Sequence, residues 1–355
     1  MEYSVLMSVY AKENADFLST AVESMLRQSC PPTQFVLVCD GPLTPALDAA
    51  IESFTAAAPA LFTVLRLPEN KGLGIALREG LAVCKCELVA RMDSDDISLP
   101  LRMEHQLAAM AADPKLDVVG GQIAEFAESP EKILCYRKVN VSPEDVRRSA
   151  AGRNPMNHMT VLFRKSSVLA AGGYEDMKGF EDYYLWGRML AAGYRLANLP
   201  EVCVLARVAG LQSRRGGWKY FRQTVRLERA LRSCGLFGAG TYYKNLLIRF
   251  CGTVLLPETV TWGAYFIEEI QAPRGYLIRE DDFAVFIGQN GDEPGNTYTV
   301  DIEIPDQPVK GRILLDKKGL QFVGVKAETD AWGNEVQRPV FEERYLAGAV
   351  FEVRA

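Results

Sequence analysis

Nine segments of alternating character open the chain, and they restrict its fold more than any other feature. YSVLMSVY, QFVLVCDG, TVLRLPEN, CELVARMD and LDVVGGQIAEF are apolar runs suited to strands buried on both faces. Between them lie NADFLSTAVESMLRQS, PALDAAIESFTAAAP, KGLGIALREGLAVCK and LPLRMEHQLAAMAADP, with apolar residues at helical spacing. Phe17, Leu18, Ala21, Val22, Met25 and Leu26 form one such stripe, and Asn14 precedes it as an N-cap. The last helix is expected to start near Pro100. This strand–helix alternation predicts an α/β fold with a mostly parallel, doubly wound sheet. Sheets of that kind bind ligands beyond the carboxyl ends of their strands, where Tyr10, Asp40 and Asp93 fall.

Farther along, PEDVRRSAAG reads as a helix, TVLFRKSSVL as a strand entering a helix, and FEDYYLWGRMLAAGY as a strongly amphipathic helix. Arg, Tyr and Leu recur at helical spacing over 215–250. After about Thr261 short strand patterns (GAYFIEEI, FAVFIG, TYTVDIEI, KGRILLDKK, AGAVFEVRA) alternate with Gly, Asn, Pro and Asp turns, an all-β signature. The expected division is a domain over 1–215, a helical extension over 216–260 and a β-rich segment over 261–355, with the boundary near 255–262.

Composition removes several functions. Forty basic against forty-five acidic residues leave a net charge of −5, so non-specific attraction to nucleic acid is not expected. Eight scattered cysteines, no CxxC pair and two histidines argue against structural zinc and for buried free thiols in a reducing compartment. MEYSVLMSVY lacks a basic start followed by an apolar core, so a cytoplasmic location is expected. No apolar run reaches the roughly 20 residues that span a bilayer. YKNLLIRFCGTVLLPETV, broken by Arg249 and Pro257, is suited to lying against the inner face of a membrane instead.

RMDSDDISLPLR places Asp93, Asp95 and Asp96 within four positions at the end of the fourth strand. Such crowding is unfavourable unless water, a cation or a ligand offsets it. An exposed acidic turn is the plain alternative, but the strand-end position favours a cation site. One aspartate of a D-x-D can ligate a divalent ion that bridges a diphosphate, while its partner holds a ribose hydroxyl or an ordered water. A dehalogenase-type phosphatase would carry D-x-D after the first strand, where this chain reads SVYAKE. G-x-G-x-x-G after that strand, a P-loop and a G-x-S-x-G elbow are all lacking.

Six ordered motifs, SVLMSVYAKE, VLVCDGP, NKGLGIALREGL, ARMDSDDIS, NHMTVLFRKSSV and GGYEDMKGFEDYYLWGRMLAAGYRLANLP, resemble glycosyltransferase family 2, particularly its bacterial polysaccharide type, over about residues 3–250. The resemblance implies a GT-A fold, a nucleotide-sugar donor (usually UDP-linked, with GDP and dTDP also compatible), Mn²⁺ or Mg²⁺, and inversion at the anomeric carbon. It places Asp40 on the nucleoside, with Ser8, Tyr10 and Glu13 lining the same pocket and Asn70, Lys71 and Gly72 turning beside the nucleotide. Asp93 would face the ribose or an ordered water, Asp95 would ligate the metal, and Asp96 would start a helix or support its neighbours. Asp182 corresponds to the base that deprotonates the acceptor hydroxyl, with Glu181 orienting it. A helix start decorated with acids is the structural alternative for that pair. His158 would approach the metal or the diphosphate, or else be structural, and His105 is expected to be packing. Gln212, Arg214 and Arg215 resemble a segment that covers the diphosphate. Trp218 departs from the Gln-x-x-Arg-Trp pattern of processive synthases, which points to transfer of one sugar. The implied partners are a nucleotide sugar and a glycan or lipid-linked glycan acceptor of the cell envelope.

WGAYFIEEIQAPRGYLI resembles the end of a Cna B-type (SpaA-like, prealbumin-like) repeat, and KGRILLDKKG with YLAGAVFEVRA resembles the start of another. Glu269, Asp306 and Lys317 then fall at the positions of an isopeptide bond. The central strands are lacking in that order, so a partial or loosely ordered sandwich from a fusion, without the cross-link, is expected. Two other functions stay open at this point: a surface adhesin module, drawn from the tail, and a sugar nucleotidyltransferase.

Overall fold

A computed structural model describes residues 1–127, 129–208 and 217–250, and beyond them the backbone of five strands. These residues form two compact units, one ending at Phe250 and the other holding those five strands.

The first unit begins β1 (Tyr3–Val9), α1 (Ala15–Leu26), β2 (Gln34–Cys39), α2 (Pro45–Ala57), β3 (Phe62–Arg66), α3 (Leu73–Val83) and β4 (Leu88–Met92). A two-residue β5 (Ile97–Ser98) leads to α4 (Arg102–Ala112), β6 (Val118–Phe126), β7 (Ile133–Arg137) and α5 (Pro143–Ser149). β8 (Leu162–Arg164), α6 (Lys165–Ala170), α7 (Glu181–Ala191), β9 (Leu196–Arg207), α8 (Gly217–Ser233) and α9 (Ala239–Phe250) complete it. Asn14 caps α1 as its sequence predicts, accepting the N–H groups of Asp16 and Phe17.

The sheet runs β3-β2-β1-β4-β8-β6-β9-β5, with β7 on β6. Its first four strands are parallel, with β1 between β2 and β4. Every residue of β2 and β4 is buried, which explains their unbroken apolar runs. One core packs Met7, Val22, Phe35 and Met103 on one face of the sheet; the other packs Leu6, Leu77, Phe163 and Trp186.

The expected parallel arrangement holds for this half, and beyond it the sheet is mixed. β8 inserts antiparallel between β4 and β6, so these two are not neighbours. β9, read in sequence only as mixed pattern, pairs parallel to β6 along its length. Pro200 and Glu201 interrupt its apolar alternation where the register shifts. The helix expected near Pro100 begins at Arg102. His105 is exposed rather than packed, because α4 buries Arg102, Met103, Gln106, Leu107 and Met110 and turns position 105 outward.

The seven described cysteines are free thiols; Cys39, Cys84 and Cys203 are buried, whereas Cys30, Cys86, Cys135 and Cys234 are half-buried, so the expected burial holds for three of them. Among the described residues no helix is long and apolar enough to cross a membrane. In the second unit β10 (Gly263–Gln271) pairs antiparallel with β11 (Phe283–Ile287) and β14 (Val350–Arg354), and β12 (Lys318–Thr329) with β13 (Glu335–Tyr345). The expected strands TYTVDIEI and most of KGRILLDKK lie outside the described residues, as do Cys251, Asp306 and Lys317. β12 and β13 were not anticipated from sequence.

Candidate active site

Parallel pairing brings the strand ends together. Val9 of β1 lies level with Cys39 of β2, and Met7 with Met92 of β4. Tyr10, Asp40 and Asp93 therefore leave three neighbouring strands at the same edge.

Asp40 is buried and organises the next turn. Its carboxylate accepts the N–H of Lys71 at 2.7 Å and of Gly72 at 3.0 Å, and its carbonyl accepts Asn70 Nδ2 at 3.1 Å. The sequence expectation joined these residues through a nucleotide; the structure joins them directly. Gly41 follows with φ +88°, and a Cβ there would stand 2.6 Å from the Asn70 nitrogen. Gly41→Ala is expected to cost about 2–3 kcal/mol through strain and displacement of that turn. Thermal unfolding would then shift down by roughly 4–10 °C, a change of under 1 °C being the contrary result.

The acidic triplet converges. Asp93, Asp95 and Asp96 each offer an oxygen within 4.8 Å of the others. Glu13 joins them from the loop after β1, where its N–H donates to the Tyr10 carbonyl. Burial, reinforced by Asp95 and Asp93, pushes Glu13 up to about 7. Burial and Asp93 likewise raise Asp95 to about 6. Asp96 is 3% exposed; one oxygen accepts the Arg207 N–H at 2.8 Å, whereas Oδ2 is buried without a partner. Asp96 thus ties the cluster to β9; it starts no helix, since α4 begins at Arg102, and of its two expected roles the support of neighbouring residues is the one compatible with this contact. Three converging carboxylates, one with an orphaned buried oxygen, suit a divalent cation, so the residues present fit such an ion.

Arg91, which sequence reasoning missed, lies beneath this cluster. It is 1% exposed and ion-pairs with Asp93, yet its Nε and Nη1 have no partner. Its charge also bears on Tyr174, Glu181 and Asp182, so one buried cation serves both groups of acids. An arginine in an apolar strand gives no hint of this at the sequence level.

Glu181 and Asp182 form the first turn of α7. A Cβ at Gly74 in α3 would meet Glu181 Cβ at 3.2 Å, so this turn packs against the helix that follows the Asp40-held loop. Burial raises both carboxyls above their ordinary range. Asn154 Nδ2 donates to Asp182 Oδ2 at 2.6 Å and opposes that rise by stabilising the anion. Asn154 is the second residue that sequence reasoning left unassigned.

His158 is 9% exposed in a 3-10 turn (His158–Thr160), with Nε2 3.0 Å from the Tyr174 hydroxyl and Trp186 edge-on to its ring. Burial and the charge of Arg91 hold it well below its usual pKa, hence neutral. It is not part of the converging carboxylate group among the described residues. Ser8 and Tyr10 are half-buried at the edge of β1. Gln212, Arg214 and Arg215 lie outside the described residues.

The Glycosyl transferase family 2 profile matches residues 4–170. The amylovoran biosynthesis glycosyltransferase AmsE of Erwinia amylovora is 38% identical over 267 residues, covering 74% of this chain and 97% of that protein. The UDP-Gal:α-D-GlcNAc-diphosphoundecaprenol β-1,3-galactosyltransferase of Escherichia coli is 34% identical, covering 64% and 82%. Among solved structures, S. aureus TarS residues 1–349 in complex with UDP-GlcNAc aligns with a TM-score of 0.55 at 17% identity, covering 72% of this chain and 74% of that one. That likeness shows a shared GT-A-like α/β fold. With two relatives above 30% identity matched over more than four-fifths of their lengths, the chain belongs to glycosyl transferase family 2.

Proposed function

We propose that this glycosyltransferase is inverting and metal-dependent, and moves one sugar from a UDP-linked donor to a polysaccharide or lipid-linked glycan acceptor at the cytoplasmic side of the cell envelope. The carrying observation is the convergence of Asp93, Asp95 and Asp96 at the strand edge that also holds Asp40. The named acceptor of the E. coli relative, a diphosphoundecaprenol-linked sugar, and the polysaccharide named for the Erwinia relative support the acceptor class.

In this reading Asp40, Ser8, Tyr10 and Glu13 hold the nucleoside, and the Asn70–Gly72 turn closes beside it. Asp95 and Asp93 would hold the Mn²⁺ or Mg²⁺ ion, with Asp96 fixing the cluster's position and His158 neighbouring the diphosphate. When bound, that ion neutralises charge on the diphosphate as it leaves. Arg214 and Arg215 add donors to the same oxygens. Asp182 accepts the acceptor's hydroxyl proton while that oxygen bonds to C1 from the face opposite the diphosphate. The C1–O bond breaks with its electrons going to the nucleoside diphosphate, inverting the anomeric centre. Glu181 orients the acceptor.

Product analysis separates this from nucleotidyl transfer. Release of nucleoside diphosphate from a nucleotide sugar is expected; pyrophosphate from a nucleoside triphosphate would refute it. The function of Asp182 requires its anion, so activity rises with pH through the raised pKa of that group. Asn154→Ala removes the hydrogen bond that lowers this pKa. The acid limb of kcat against pH should move upward, with the loss of activity greatest at the acid end of the profile. An unshifted limb would contradict Asp182 as base.

For the architecture, we assign 1–215 to the transferase, 216–260 to a helical extension and 261–355 to a partial SpaA-like segment without an isopeptide. An intact mass short by about 17 or 18 Da, one ammonia or water, would refute the last point.

A further inference from the structure

The hairpin of α8 and α9 separates its charges in an unusual way. From Trp218 to Phe250 the exposed side chains charged at neutral pH are Lys219, Arg222, Arg226, Arg229, Arg232 and Lys244, all cationic. Glu228 is the single acid there, and it faces inward at 0% exposure. Its oxygens accept Arg249 Nε at 2.6 Å and Asn245 Nδ2 at 3.0 Å, which locks α9 onto α8. The inner face is spoken for: Leu227 and Leu231 pack with Met177, in the loop before α7, and with Tyr183 in its first turn. Among the described residues, no carboxylate pairs with the six outer cations.

Apolar side chains lie exposed on the same hairpin. Trp218 is 60% exposed, Tyr243 64%, Leu247 64% and Ile248 53%. One shallow hollow lies along Trp218, Arg222, Arg226 and Arg229, and a second along Arg229, Arg232 and Tyr243, so both border Arg229. Arg226 donates to the Asp176 carbonyl and Arg232 lies over the Tyr242 ring, but none of the six cations meets a carboxylate among the described residues. Cations without acidic partners and exposed aliphatic side chains on one hairpin, with Trp218 and Tyr243 lining the hollows among the arginines, match the interface of an anionic lipid leaflet. Nucleic acid would match the charge but offers no apolar phase for Leu247 and Ile248. A net charge of −5 also disfavours long polyanions away from this patch.

We propose that the outer face of the α8–α9 hairpin docks on an anionic phospholipid bilayer. It rests on the proposed function only for its purpose, since it would bring a lipid-linked acceptor to the enzyme. The connection is short: Tyr183, packed on α8, follows Asp182 directly, and Asn245 Nδ2 also donates to the Ala151 carbonyl at 2.8 Å. Docking on this face therefore anchors the acceptor end of the site.

The test is sedimentation of the full chain with phosphatidylcholine vesicles, with and without about 30% phosphatidylglycerol. Recovery with the anionic vesicles alone is expected, with release at about 0.5 M salt. Arg222→Glu with Arg229→Glu should weaken recovery by at least about 25-fold, near fivefold for each cation lost. Leu247→Ser with Ile248→Ser should weaken it without changing its salt dependence. Equal recovery on zwitterionic vesicles, undiminished binding by the charge-reversed variant, preference for duplex DNA, or a dimer that buries this face would each overturn the proposal. Should the reversed variant fail to fold, the salt dependence of the wild type decides. Nucleotide-sugar binding without lipid is read separately: its loss in the wild type would sink the catalytic reading and leave this one standing.

Discussion

Asp182→Asn is expected to lower sugar transfer about a thousandfold while donor binding stays within a few-fold of wild type. The substitution keeps shape and the capacity to bond Asn154 but cannot take a proton at neutral pH. Asp182 is half-buried, its carboxyl is pushed upward by burial, and it is oriented by one 2.6 Å hydrogen bond. A base poised nearer the working pH takes a proton more effectively than an exposed aspartate would. Steady-state kinetics with separate donor-binding measurements check this, with kcat falling and donor affinity retained. Loss of donor affinity would move Asp182 to a structural role at the helix start, the alternative open at the sequence level.

The second large effect concerns Asp95. Asp95→Asn should abolish metal-dependent stabilisation and weaken donor binding in Mn²⁺ on the order of a hundredfold. The same variant should be more stable than the wild type when metal is removed. Asp95 has a folded pKa of about 6, above its ordinary 3.8. Below about pH 4 both folded and unfolded states are protonated, and from there to about pH 6 the folded state retains a proton that the unfolded chain has lost. Stability of metal-free wild type therefore declines as pH rises through this window. The asparagine variant should lack this part of the decline and gain about 1 kcal/mol at pH 8, after discounting for partial exposure. Denaturant unfolding at pH 5 and pH 8 in chelator checks both signs. A wild type that gains stability over this interval at the same rate as the variant would contradict the account.

How much was legible follows from how far each signal travels along the chain. Strands β1, β2 and β4 were readable because strands buried on both faces must be apolar throughout, and their edge placed Tyr10, Asp40 and Asp93 correctly. β9 was hidden because its middle, Pro200 and Glu201, is exposed and breaks the pattern. The insertion of β8 was hidden because its three residues pair with strands more than 30 positions away. Within the site, the acidic triplet announced itself by its own repulsion. Arg91 and Asn154 did not, since an arginine in a strand or an asparagine before a proline acquires meaning only from what the fold sets beside it. The direct Asp40 contacts with Lys71 and Gly72 span some 30 residues and were invisible for the same reason.

The central claim is that Asp93, Asp95 and Asp96 endure mutual repulsion because a divalent cation and a sugar-linked diphosphate belong among them. Calorimetric titration of the full chain with UDP-sugars, in Mn²⁺ and again in chelator, tests it most directly. Tight binding that depends on the metal is the predicted result. Equal affinity in the two buffers would contradict it.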